Sequence, residues 1–96
     1  MIARLTTDTR LLELDAARPV VAGPNQSYEL WLLPAHGGAP VSLAVLGSLD
    51  AKFALAPAHA DRLRAGGKLA ISVEPAGGSP TGGPTGSVIF VGSITL

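Results

Sequence analysis

The sequence predicts an all-β domain, a small antiparallel β-sandwich. Three observations predict it. The best-patterned segments alternate at the two-residue period of strands, proline and glycine stand at the ends of the apolar runs, and about seven such runs follow one another with frequent turn signals.

The first two strands are the weakest, at residues 3–6 and 11–15. Residues 28–33 are far clearer. Tyr28, Leu30 and Leu32 fall on one face, and Glu29, Trp31 and Leu33 on the other. Pro34 closes this strand because it cannot donate to a ladder. Ala39-Pro40 then leads into a strand at 41–46, and a polar turn at 48–52 precedes a short one at 53–55. Residues 57–64 are rich in helix formers, open at Pro57 and close at Gly66-Gly67. They predict a short helical turn near 57–65 that links two strands and is too short to serve the core. Residues 68–74 alternate again, with Leu69, Ile71 and Val73 on one face, and stop at Pro75. The final segment, 87–96, is β-branched and apolar on both faces, as a central or sandwich-core strand would be. Seven strands in this order suggest an immunoglobulin-like or similar Greek-key sandwich. The expected core contains Leu30, Leu32, Leu69, Ile71, Val73 and Val88.

Composition bounds the function. The 96 residues make one domain, 1–96, and their 47% apolar content supports one core without disulfides. Seven acidic side chains cancel seven basic ones, and the basic residues are scattered, so no nucleic-acid partner is expected. There is no cysteine, which removes thiolate metal sites and thiol redox chemistry. Residues 1–8 lack the apolar stretch of a signal peptide. Apolar runs such as Leu43-Ala44-Val45-Leu46 fall far short of the ~20 residues of a membrane span.

No constellation nominates a catalytic residue, a metal ligand or a cofactor. Gly66-Gly67-Lys68 resembles part of a phosphate loop, but Leu69 stands where a hydroxyl must reach Mg²⁺, and the chain runs from helix into strand. A helix C-cap explains these glycines better. His36 and His59 lack partners at ligand spacing. The serines sit in no Gly-x-Ser-x-Gly elbow, and Asp8, Glu13, Asp15, Glu29, Asp50, Asp61 and Glu74 are dispersed along the chain. Tyr28 and Trp31 are candidate aromatic anchors for a partner, with packing as the competing role.

One segment stands apart. From Glu74 and Pro75 the chain runs through Gly77, Gly78, Ser79, Pro80, Thr81, Gly82, Pro84 and Thr85 to Gly86 with no strand pattern and no basic residue. A connection this long is uncommon in a compact domain unless it is functional or disordered. It is the candidate interaction loop. The alternative is that it packs on the sandwich and pins the register of the last two strands.

Two blocks carry a family resemblance. Tyr28-Glu29-Leu30-Trp31-Leu32-Leu33-Pro34 followed by Gly38-Ala39-Pro40-Val41-Ser42-Leu43 resembles a conserved block of the anti-sigma-K factor (RskA) C-terminal domain family. The run from Leu69 to Gly86, with Glu74-Pro75-Ala76-Gly77-Gly78-Ser79-Pro80-Thr81 at its centre, resembles a second and more specific one. The resemblance covers about 26–92, and residues 1–25 fit as lead-in strands. It implies an extracytoplasmic sensory or regulatory domain of a membrane-anchored anti-sigma factor, which controls sigma-factor release by regulated proteolysis. The implied partners are a sigma factor, held by a segment absent from these residues, and proteases, together with an unknown protein or envelope ligand of this domain. The alternative function is a structural or adhesion-like envelope sandwich that binds a protein without signalling.

Overall fold

A computed structural model describes residues 1–6, 8–16 and 21–95. Among the described residues, seven strands and one helix run in the order β1 (Ile2–Thr6), β2 (Leu11–Asp15), β3 (Gln26–Leu33), β4 (Val41–Leu46), β5 (Ala51–Ala54), α1 (Pro57–Arg64), β6 (Lys68–Pro75) and β7 (Val88–Gly92). They form a three-stranded sheet ordered β1-β2-β5 and a four-stranded sheet ordered β4-β3-β6-β7. All these pairings are antiparallel. Two strands leave the local hairpin pattern. β5 crosses to pair with β2, and β6 returns across the sandwich to pair with β3. The result is the seven-strand immunoglobulin arrangement with its fourth strand moved to the opposite sheet.

Alternation explains how the sheets meet. Leu12 and Leu14 of β2 and Ala3 and Leu5 of β1 point inward from one sheet; Leu30 and Leu32 of β3 and Leu69 and Ile71 of β6 answer from the other. Each of these leucines, and Ile71, is at most 2% exposed. The opposite face of the smaller sheet is wet. There Glu13 lies between Arg4 and Lys52, at 4.0 and 3.4 Å, all with substantially exposed side chains. Such pairs add little to stability.

α1 corrects one expectation. It is short, yet Ala60 and Leu63 are buried in the common core. Those two positions are three apart and so share a face. Its stop matches the C-cap expectation. Ala65 ends the helix, Gly66 takes φ +105°, and the Gly66 and Gly67 amides donate to the Leu63 and Arg62 carbonyls. This is the paired closure of a Schellman motif. Gly67 has a second role, because a Cβ there would lie 2.8 Å from the Arg62 carbonyl oxygen.

The last strand corrects another. β7 is the edge of the four-stranded sheet, not a central strand, and Val88 lies half exposed instead of in the core. Val73 is only partly buried, packed against the core's margin. After β7 the chain crosses to the other sheet, where Thr95 bridges β1 by accepting from the Leu5 amide and donating to the Ala3 carbonyl. Truncation should register the difference. Leu30→Ala should cost about 2–5 kcal/mol, whereas Val88→Ala should stay within about 0.5 kcal/mol, as surface substitutions do. Urea unfolding of the two variants checks this.

Candidate functional site

The outer face of the four-stranded sheet carries the chain's most unusual chemistry. By alternation this face of β3 holds Ser27, Glu29, Trp31 and Leu33, and that of β6 holds Lys68, Ala70, Ser72 and Glu74. Such a face ordinarily meets water. Here Trp31 and Ser72 are fully buried, Glu74 is 2% exposed and Glu29 is 5% exposed. The connection between β6 and β7 explains this, because it folds back across the face and is tied down along its length.

Glu74 ties the far end. Its carboxylate accepts from the Thr85 and Gly86 amides at 3.1 and 3.2 Å and from the Thr85 hydroxyl. It also accepts from the Ser72 hydroxyl at 2.6 Å, and that hydroxyl accepts the Trp31 indole N–H at 2.9 Å. A relay therefore runs from indole to hydroxyl to carboxylate to loop backbone. Glu29 ties the near end, accepting from the Ser79 amide at 2.7 Å and from the Ser42 hydroxyl of β4 at 2.6 Å. The Gly77 amide donates to the Ser27 hydroxyl at 3.1 Å, and the Ala76 amide to the Asn25 carbonyl at 2.9 Å. No buried side-chain polar atom among the described residues lacks a partner. Hydrogen bonds donated to a buried carboxylate favour its charged form. Burial pushes the Glu74 carboxyl up, but the hydrogen bonds from Ser72, Thr85 and Gly86 outweigh it and hold the group below its ordinary value.

The loop's own sequence suits this task. Gly77 and Gly78 take φ +91° and +107° to turn the chain back over the sheet. A Cβ at Gly78 would sit 3.0 Å from the Glu29 carboxylate and 2.9 Å from Val45. Gly86 passes so close to β6 that a Cβ would overlap the Val73 carbonyl. The tip, Pro80, Thr81 and Gly82, is exposed. Ser79 shapes it by donating to the Gly83 carbonyl and accepting from the Thr81 amide.

The structure thus brings Glu74, Thr85 and Gly86 together with Trp31 in one network, and ties Ser79 to Glu29 in a second. Tyr28 is part of neither, being buried on the core face. Neither ring lies on the surface. His36 is exposed in the turn after β3, and His59 is partly buried on α1. Among the described residues no group of three or more His, Asp or Glu could hold a metal ion. The sequence reading missed Glu29, Ser42 and Ser72. Their signal was available as acidic and hydroxyl residues on the face opposite the apolar one, followed by a long uncharged segment rich in amide donors.

Ser72 and Glu74 resemble a nucleophile beside a base, but the arrangement is closed. Ser72 is fully buried and engaged as both donor and acceptor, and the carboxylate is filled by loop donors. Its chemistry is that of a latch.

Comparison with known proteins bears on most of the fold. No curated protein and no solved structure matches the chain. The family model described as "Anti-sigma-K factor rskA, C-terminal" matches residues 2–88, which takes in the three-stranded sheet, the helix, the latched loop and the four-stranded sheet up to the first residue of β7. The chain belongs to the anti-sigma-K factor C-terminal family and so to a group of anti-sigma regulators.

Proposed function

We propose that this domain is the non-catalytic sensory part of a membrane-anchored anti-sigma factor. It stands outside the cytoplasmic membrane and controls sigma-factor release by governing proteolysis of the full-length protein. The observation that carries this reading is the family match over 2–88. The sigma factor would be held by a segment outside these 96 residues, and the domain's own contribution is conformational. Its polar cluster supports a non-enzymatic role, since hydroxyl and carboxylate are spent on each other and on the loop.

The surface offered to a partner is the loop from Glu74 to Gly86, with its tip at Pro80, Thr81 and Gly82. Its two halves divide the labour. Ser79, Thr85 and Gly86 hold the loop to the sheet, and the tip is left for contact with a polypeptide. Pro80 and Pro84 limit the entropy lost when such a segment is ordered against a partner.

The division makes the test specific. In the full-length protein, Pro80→Arg should leave the unfolding midpoint of the domain unchanged while altering sigma-dependent transcription under the inducing condition. Transcription that follows wild type in every condition, with the fold intact, would remove the tip as the contact surface. Deleting the whole domain without any change in sigma release would reject the regulatory reading itself.

A further inference from the structure

A sheet edge offers unpaired backbone groups to any passing strand, and proteins blunt their edges against this. Three of the four edges here are blunted. β1 is covered by Thr95, which exchanges hydrogen bonds with Ala3 and Leu5. β5 is four residues long and carries Lys52. β4 is entered from Pro40, its ladder with β3 is interrupted by a bulge, and the latched loop crosses it at Val45, against Gly78.

Among the described residues β7 shares only the bulge, its ladder with β6 shifting register between Ile71 and Ser72, and it has no covering segment, lysine or proline. It pairs with β6 on one side only. Val88, Ile89 and Val91 are 50%, 47% and 56% exposed. No ionisable side chain occurs anywhere from residue 75 to 96, and no proline from 85 onward. Gly92 further opens the strand, since the Phe90 ring lies over it where a Cβ would clash at 2.7 Å. The ring is thereby drawn toward the core margin and away from the free edge.

From this we propose that β7 is the contact strand for a second copy of the same chain. The two edges meet antiparallel about a two-fold axis and join two four-stranded sheets into one continuous sheet. Charge is the reason for choosing a second copy as the occupant. A partner edge bearing Lys or Glu would have to desolvate those charges against an edge with nothing to pair them. An identical edge brings no charge and presents the same β-branched side chains within cross-strand reach. The closed two-fold pair also satisfies both free edges at once, whereas pairing β7 with a different strand would leave one open and continue growing. Five-residue strands bury less than the ~1,200 Å² of a stable dimer. The pair is therefore weak and reversible, and dependent on local concentration.

Sedimentation equilibrium from about 10 μM to about 1 mM, a range that brackets weak association, tests it. The wild-type mass should rise toward that of a dimer. Val91→Lys and Ile89→Lys should stay monomeric with unchanged circular dichroism. A second measurement covers variants that fail to fold. The chain has no cysteine, so Ile89→Cys should give an intermolecular disulfide under mild oxidation, and Lys52→Cys on the far sheet should not. A monomer throughout the range, a dimer that survives both lysines, equal cross-linking from both cysteines, or open-ended polymers would each overturn the proposal.

Discussion

Gly86→Ala should be the most damaging single-methyl addition in this chain. A Cβ at residue 86 would stand 1.7 Å from the Val73 carbonyl oxygen and 2.9 Å from its carbon, both backbone atoms of a central strand. Neither can yield without moving β6, so the loop must lift instead. Lifting it withdraws the Thr85 and Gly86 amides from Glu74. Overpacking of ~1–3 kcal/mol and loss of hydrogen bonds to a charged acceptor, ~1.5–3 kcal/mol, together give a cost of about 3–5 kcal/mol. The matched control lies three residues away. Gly83 has open space around its Cβ position and no positive φ, so Gly83→Ala should be neutral or slightly stabilising. Urea unfolding of both variants reads the result. Equal midpoints for the two would show that the loop is not seated on β6 as described.

Glu74 should dominate the stability and its acid dependence. Glu74→Ala leaves the Ser72 and Thr85 hydroxyls and two loop amides without their acceptor. A buried donor left unmade, as Ser72 would be, costs ~1–3 kcal/mol, and the part-buried loop donors add to this before water replaces their acceptor, so a loss of about 2–3 kcal/mol is expected. The pH behaviour follows from the direction of the shift. Burial raises the folded carboxyl, but hydrogen bonds from Ser72, Thr85 and Gly86 favour the charged form and hold it below its ordinary value. Its contribution is complete above the pKa of the unfolded chain and disappears as pH falls through the folded value. Wild-type protein should therefore lose stability on acidification through the ordinary carboxylate range and below it. Glu74→Gln should be less stable near neutrality, and its deficit should shrink as pH falls. Unfolding curves collected across that range decide the matter, and parallel profiles for the two proteins would show that Glu74 is not the group responsible.

The latch also explains which parts of the fold could be read from the chain. β3 and β6 were legible because their inward faces, Leu30 and Leu32 and then Leu69 and Ile71, keep a strict two-residue period. α1 was legible from Pro57 and Gly66, whose backbone preferences are local. Its buried face was not, because Ala60 and Leu63 become core only when the segment packs against residues of both sheets. β7 misled for a related reason. Apolar residues on both faces describe a central strand and an unguarded edge equally well, and the pattern within a strand carries no information on its neighbours.

The candidate site divides along the same line. Length, spacing and the absence of basic residues singled out the segment from Glu74 to Gly86, and its glycines announced the turns at 77 and 78. Nothing local announced that Glu29 and Glu74 are buried. A polar residue alternating with apolar ones ordinarily faces water, and only a loop returning from 50 residues further along the chain covers Glu29.

By itself the sequence determined the strands, the helix stop and the family. Each depends on interactions among near neighbours or on a long run of matching residues. Tertiary structure alone decided which strand is an edge, which carboxylates are dry and why Gly86 tolerates no side chain. Those outcomes are set by what comes to lie on the far side of each residue, and that is fixed only when distant segments pack.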